Sequence, residues 1–303
     1  MSTSSVCAAC GGHGLSDHLR VAGELGAGGL IPSTDQFGTA LGDIARCPRC
    51  GHMQLDPMPA ATMLADAYAT AASEDYVQEE LGQRETARRA LERIEAYAPP
   101  VRPRALLDLG CWVGFLLAEA RERGWDTLGV EPSAFAAGYA RDRLGLTVVQ
   151  GELLEAELPA GAFHAITLGD VIEHVTDPLA ALRRIDALLA PGGVVWLALP
   201  DAGSRMARAL GRRWWSVIPT HVQYFTRGSI AALLRRGGFE PVEVTTAPKA
   251  FTVRYYLERI GGYSPPLARG LVTAAGRAGV ADRLWAPDFR DRMAVVARRA
   301  SAR

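Results

Sequence analysis

The sequence predicts an α/β protein built on a parallel sheet and preceded by a small cysteine-rich module. Three observations predict it. From Ala105 onward, short apolar runs alternate with amphipathic helical patterns, the signature of βαβ units. A glycine turn, Gly110 to Gly114, joins the first of those runs to a helix start. Two Cys-x-x-Cys pairs lie within the first 50 residues. The 303 residues allow one large domain with an appendage, and 49% hydrophobic against 22% charged residues excludes a mainly disordered chain.

Three zones follow one another: a zinc-ribbon module over 1–55, a helical linker or lid over 56–103, and the α/β domain over 104–303. In the first, Cys7-Ala8-Ala9-Cys10 and Cys47-Pro48-Arg49-Cys50 form two knuckles, each followed by glycine, Gly11 and Gly51. A turn with glycine after the second cysteine lets backbone amides point at the sulfurs. Four thiolates suit tetrahedral zinc and leave no open position for a reacting water, so Cys7, Cys10, Cys47 and Cys50 are the candidate ligands of a structural Zn²⁺. A redox dithiol and a site that has lost its metal are the competing readings. The 36 residues between Cys10 and Cys47 fit a ribbon with an inserted loop. His13, His18 and His52 lie nearby but are not needed as ligands.

In the second zone, Met63, Leu64 and Tyr68 belong to one helix, and a polar helix spans Tyr76 to Tyr97. Pro99-Pro100 and Pro103 close it, because proline cannot continue a helix. In the third, the expected strands are Ala105–Leu109, Thr127–Val130, Thr147–Val149, Ala165–Leu168, Val194–Leu199, Pro241–Thr245 and Arg292–Arg298. Helices start near Gly114, Ser133, Pro178 and Ser229, with stops at Pro191-Gly192-Gly193 and Gly237-Gly238. A helical insertion covers about 249–288. It could shape an acceptor pocket or a homodimer interface.

The glycine turn sits where a cofactor can rest on exposed backbone and a helix N-terminus. The next strand ends at Val130-Glu131-Pro132, 21 positions after Gly110, where an acid can accept from two ribose hydroxyls. A dehydrogenase is disfavoured, because a full G-x-G-x-x-G loop is missing.

These residues resemble the class I S-adenosylmethionine-dependent methyltransferases. The resemblance is carried by Asp108-Leu109-Gly110-Cys111 with Gly114, by Glu131, and by Asp170-Val171-Ile172-Glu173-His174-Val175-Thr176-Asp177-Pro178. Leu189-Ala190-Pro191-Gly192-Gly193 and His221-Val222-Gln223-Tyr224-Phe225-Thr226 extend it, so it covers about 104–246 plus the last strand. The whole chain is similar to a branch with an N-terminal zinc ribbon that includes sugar and natural-product methyltransferases. The resemblance implies a Rossmann-like seven-stranded sheet, order 3-2-1-4-5-7-6, with the last strand antiparallel. It implies S-adenosyl-L-methionine as cofactor, cradled by Asp108, Gly110, Cys111 and Gly114. Glu131 and Pro132 would then hold the ribose edge and Glu152 and Leu153 the adenine side, and Asp170, after the fourth strand, would be a further cofactor-binding residue. One departure is Trp112, where the family has glycine; its side chain must point away from the cofactor or reshape the methionine pocket.

An oxygen or carbon acceptor needs its proton removed, a task suited to histidine. His174 and His221 fall at the carboxyl edge of the sheet, where open α/β sheets bind ligands. Each could equally be structural, His174 by orienting its helix and His221 as part of a lid. In sugar C-methyltransferases the second motif resembles a base with a preceding glutamate and a nearby tyrosine. Here Tyr224 is present but Ile218 and Thr220 stand around His221, which favours O-methylation. Arg205, Arg208, Arg212 and Arg213 beside Trp214 and Trp215 read as a lid gripping an anionic substrate, as an interfacial helix, or as a solvated face.

The expected acceptor is a small molecule, a sugar or natural-product hydroxyl or a sugar carbon, with a nucleotide-linked sugar among the candidates. RNA methylation with the ribbon as a grip, and a non-catalytic assembly module, are the alternatives. The balance of 33 basic and 33 acidic residues argues against nucleic acid, DNA included. All the basic residues but Lys249 are arginine, which reads as coding bias. No apolar run is long enough to span a membrane, and Met1-Ser2-Thr3-Ser4-Ser5 does not open a secretory signal, so a cytoplasmic protein with reduced thiols is expected.

Overall fold

The computed structural model describes residues 5–23, 37–71 and 77–300. The first four residues, the middle of the loop between the cysteine pairs, and Tyr76 at the expected helix start lie outside the described residues. The N-terminal module is a small antiparallel sheet, β1 (Ser16–Leu19), β2 (Ile44–Arg46) and β3 (Met53–Leu55). Each knuckle closes on its own backbone. The Cys7 amide donates to Gly12 at 2.8 Å and the Cys47 amide to His52 at 2.8 Å. Gly11 and Gly51 take φ of 70° and 71°, a region that penalises any side chain.

Helix α1 (Ala61–Ala69) and helix α2 (Glu80–Tyr97) follow. The polar α2 docks through ion pairs: Arg84 and Arg88 both reach the buried Glu119, at 3.0 and 2.8 Å. Then come β4 (Ala105–Leu109), α3 (Phe115–Glu122), β5 (Asp126–Glu131), α4 (Ala134–Asp142), β6 (Val148–Gln150), β7 (Phe163–Gly169), α5 (Pro178–Leu188) and β8 (Leu189–Pro200). After β8 lie α6 (Arg205–Leu210), β9 (Gln223–Tyr224), α7 (Arg227–Arg236) and β10 (Phe239–Thr246). The insertion contributes a two-stranded ribbon, β11 (Phe251–Thr252) with β12 (Leu284–Trp285), around α8 (Val253–Arg259) and α9 (Pro265–Arg277). Strand β13 (Arg292–Arg299) ends the described fold.

Seven strands form the main sheet in the order β10-β13-β8-β7-β4-β5-β6. The five from β8 to β6 are parallel, and β13 runs antiparallel to both β8 and β10. This is the sheet the resemblance implies. Alternate residues feed two faces. Leu107 and Leu109 pack with Leu182, Ile185 and Leu233, while Leu106 packs with Leu91, Ile94 and Leu117. Helices therefore cover both sides, as a buried parallel sheet requires.

One boundary differs from expectation. Pro191-Gly192-Gly193 does not separate α5 from β8; it lies inside β8. The pairing steps from Phe163↔Leu189 to Ala165↔Val194, so the three residues bulge out of a strand that starts directly at the helix end. A second feature is absent from the sequence reading. Strand β3 of the cysteine module pairs with β9, Met53↔Tyr224 and Gln54↔Gln223, so the small sheet runs β1-β2-β3-β9. The module thus shares a sheet with the segment that follows His221.

Candidate active site

The four cysteine sulfurs lie within 4.8 Å of one another. Cys7 and Cys50 are 3.6 Å apart, Cys10 and Cys47 3.7 Å. Tetrahedral zinc with Zn–S of about 2.3 Å requires sulfurs about 3.8 Å apart, so the donor set fits the ion in number, kind and spacing. Burial opposes ionisation of Cys47, but the backbone amides of Cys50 and Arg49 and the neighbouring thiols outweigh it and bring the group down to about 7. Burial pushes Cys7 up to about 11. A bound cation would favour the thiolate at both.

The knuckle connects directly to the loop carrying His221. His52, fully buried and held neutral by a burial-lowered value of about 4, shares a 2.8 Å hydrogen bond between its Nε2 and Gln223 Oε1. Gln223 Nε2 donates in turn to the Val175 carbonyl at 3.1 Å, one residue after His174. The Leu55 amide donates to Val222, and the Val222 amide to Glu173, both at 3.0 Å.

At the carboxyl end of β4, Gly110 (φ 72°) and Gly114 (φ 85°) turn the chain into α3, whose N-terminus has no side-chain cap. A Cβ on Gly110 would stand 2.6 Å from Val171, and one on Gly114 2.5 Å from Leu146, so both positions need glycine. Glu131 closes β5 beside this turn. Its carboxylate accepts from the Trp112 amide at 2.8 Å and the Ser133 amide at 2.9 Å, which aims it and leaves further lone pairs for a diol. Burial pushes Glu131 up to about 7, and Asp108, buried on β4 and bonded by Thr167 at 2.6 Å, also to about 7. Glu152 in the following turn is close enough for its charge to act on Glu131, and Leu153 packs at the edge of the core. Cys111 is buried, and Pro132 links Glu131 to the α4 cap, Ser133. Trp112 adopts φ 50°, and its ring turns toward Phe135 of α4, centroids 6.4 Å apart. An uncapped helix start, close-approach glycines and an aimed, half-used carboxylate fit a nucleoside cofactor with a vicinal diol.

Beyond β7 the chain brings His174 and His221 together, ring centroids 4.6 Å apart and edge-on. His174 Nδ1 lies 2.9 Å from the Thr220 carbonyl, and His221 Nδ1 2.8 Å from that of Ser216. A carbonyl only accepts, so each Nδ1 carries the proton and each Nε2 is left as a base. Burial lowers His174 to about 4; burial and His174 push His221 well below the usual histidine range. Both rings are therefore neutral near pH 7. Glu173, the residue before His174, is 2% exposed, and neither carboxylate oxygen meets a hydrogen-bond partner among the described residues. Burial, then the charge of Asp170, raises it to about 8. The Tyr224 hydroxyl is likewise buried and unpartnered among the described residues, its ring 6.3 Å from His221. Ligand atoms of Glu173, His174 and His221 lie within 4.8 Å of one another.

Asp170 follows β7 directly at φ 57° and is gripped by Lys249 at 2.6 Å and by Arg292. Burial would raise it, but those two cations hold it well below the usual carboxylate range. Sequence reasoning missed four members of this site. Tyr68 of α1 places its hydroxyl 2.5 Å from His174 Nδ1, yet it read only as a helix-face residue. Glu173 stood in a quoted motif without a role. Arg292 read as a strand start. Lys249 carried a signal, as the sole lysine in an arginine-only background. The Arg205–Trp215 segment splits: α6 ends at Leu210, Trp214 is buried, and Trp215 bonds Asp291 at 2.9 Å.

Residues 81–244 match the methyltransferase domain family. The chain belongs to that family. It is 28% identical over 181 residues to a ubiquinone biosynthesis O-methyltransferase of Cereibacter sphaeroides strain ATCC 17025, covering 56% of this chain and 71% of that protein. A second relative of that name, from strain ATCC 17029, is 30% identical over 150 residues, covering 46% of this chain and 61% of that one, under two thirds of its length. Among solved structures, the cyclase SpnF superposes with a TM-score of 0.50 at 19% identity, covering 72% of this chain and 81% of SpnF, a likeness of fold alone. The chain is an S-adenosylmethionine-dependent methyltransferase of class I fold. Among the described residues no helix is long and apolar enough to cross a membrane.

Proposed function

We propose that this methyltransferase methylates a hydroxyl of a small-molecule acceptor held against His174 and His221. The observation that carries the reading is the pair of neutral imidazoles, each with Nδ1 held by a backbone carbonyl, which leaves Nε2 as the base. S-adenosylmethionine supplies an electrophilic methyl group when bound. Asp108, Gly110, Cys111 and Gly114 form its cradle; Glu131 with Pro132 takes the ribose, Glu152 and Leu153 the adenine side. His221 Nε2 accepts the hydroxyl proton, and His174 and Tyr224 position the acceptor oxygen. Asp170, clamped by Lys249 and Arg292, fixes the strand end between cofactor and acceptor. His221 is buried, which keeps bulk water from its ring, and His174 is half-buried beside it. The Cys7, Cys10, Cys47 and Cys50 module binds zinc and holds the β9 strand.

The relatives' names favour oxygen over carbon as acceptor, and a phenol or a sugar hydroxyl both suit the chemistry. A second reading is favoured by one observation: the unpartnered Glu173 carboxylate lies with ligand atoms of His174 and His221 in a group that would hold a divalent cation binding the acceptor oxygen. A tritiated-methyl assay over sugars and phenols, with His221→Gln beside the wild type, tests the reading. Loss of about a hundredfold or more in kcat, with cofactor affinity kept, supports His221 as base. Full turnover by His221→Gln contradicts it. Turnover that falls on dialysis against chelator and returns with Mg²⁺ or Mn²⁺ selects the cation reading.

A further inference from the structure

A cleft is lined by four arginines, Arg205, Arg208, Arg227 and Arg290, together with the part-exposed Phe289 and the buried Asp201. Its volume is about 550 Å³, enough for a nucleotide-sized group. Arg205 and Arg208 are three apart on α6 and so share one helix face. Arg227 is engaged, its Nε 3.1 Å from Asp201. Arg205, Arg208 and Arg290 make no ion pair with a described residue. The nearby acids are already taken: Asp288 accepts from Thr246 and from the Arg290 amide, and Asp291 from Trp215. Coding bias explains why these residues are arginine and not lysine. It does not explain four cations round one cleft with a single acid among its lining residues.

The cleft adjoins the site through backbone. The Asp201 amide donates to the Asp291 carbonyl at 2.7 Å, and the next residue, Arg292, grips Asp170. The Ala202 amide donates to Phe225 at 2.8 Å, one residue beyond Tyr224. The walls of the cleft are therefore tied by backbone to the segments that carry Arg292 and Tyr224. Guanidinium forks match phosphate oxygens in pairs, and the half-exposed Phe289 ring offers a flat apolar face beside them.

We propose that this cleft binds a phosphate or diphosphate group carried by the acceptor. The proposal rests on the reading of a small acceptor at His174 and His221, and narrows it to a phosphorylated one. The test is calorimetric titration of the full chain with pyrophosphate, with UDP, and with uridine. Saturable binding of pyrophosphate and UDP with silent uridine is expected. Tighter UDP than pyrophosphate points to a nucleotide-linked acceptor, and equal affinity to a simple phosphate ester; either supports the site. In Arg205→Ala/Arg208→Ala, affinity for pyrophosphate falls about ten- to a hundredfold while S-adenosylhomocysteine binding is unchanged. Arg290→Asn, on a different segment and tolerant of the positive φ of 55°, gives an independent loss should the double variant fold poorly. Absence of pyrophosphate binding by the wild type, or equal binding by the variants, overturns the proposal. Neither result depends on methyl transfer, so failure of His221 as base leaves this test standing.

Discussion

Replacing Gln223 by leucine cuts the side-chain relay from the zinc module to the histidine pair and leaves the β3–β9 backbone pairing in place. Gln223 is 1% exposed and makes two kinds of contact: Oε1 with His52 Nε2 at 2.8 Å, and Nε2 to the Val175 carbonyl at 3.1 Å. Leucine is close in volume, so no cavity opens, but a buried N–H on His52 and a carbonyl on Val175 lose their partners. Each orphaned group costs about 1–3 kcal/mol, so the variant should lose about 2–6 kcal/mol. At about 2–4 °C per kcal/mol for a large domain, its Tm falls by roughly 4–24 °C. Differential scanning calorimetry reads that change. Turnover at a temperature where both proteins are folded falls with it, because Val175 and Val222 set the positions of His174 and His221. Cofactor affinity, which depends on β4 and β5 across the sheet, stays at the wild-type value. A variant with unchanged Tm and turnover, or one that loses cofactor affinity in step with turnover, refutes the coupling of the His52–Gln223–Val175 relay to the site. Adding His52→Phe to Gln223→Leu should restore part of the Tm, since both polar partners are then gone.

Purified protein should contain one zinc per chain by metal analysis, and Cys50→Ser should lower both zinc content and Tm; metal-free protein with an unaltered Tm speaks against a structural ion. Glu131 is an acid raised to about 7, above its unfolded value near about 4.3, so its contribution to stability is greatest below pH 4 and declines as pH rises through 7. Asp108 acts in the same direction. Cofactor binding favours the ionised Glu131, so affinity measured by calorimetry should strengthen from pH 6 to pH 8 and flatten in Glu131→Gln; the same pH dependence in that variant rules Glu131 out as its source. Tyr68→Phe removes the hydroxyl beside His174 and should lower kcat about tenfold with cofactor Kd unchanged, whereas an unchanged kcat leaves Tyr68 as packing.

Periodicity and turn chemistry made most of the main sheet legible. The apolar runs at β4, β7 and β8 are flanked by glycine and proline, and their burial on both faces leaves little choice of register. The Pro191-Gly192-Gly193 bulge was misread because proline and glycine mark a loop and a bulge alike. The local parts of the site were legible for a related reason. Gly110, Gly114 and Glu131 act through their place at strand ends, which sequence spacing records. Tyr68, Lys249 and Arg292 reach Asp170 and His174 from segments about 80 to 120 residues away, and no local pattern encodes such contacts. The β3–β9 pairing is equally non-local: two short strands of three and two residues carry too little alternation to predict a partner.

The central claim is that a nucleoside cofactor rests on the Gly110–Gly114 turn with its ribose on Glu131. Titration with S-adenosylhomocysteine at pH 8 tests it most directly. One molecule should bind per wild-type chain, about ten- to a hundredfold more tightly than to Glu131→Gln. A silent wild-type titration, or equal affinity in the two proteins, would contradict it and leave Trp112 as the residue that closes the cavity.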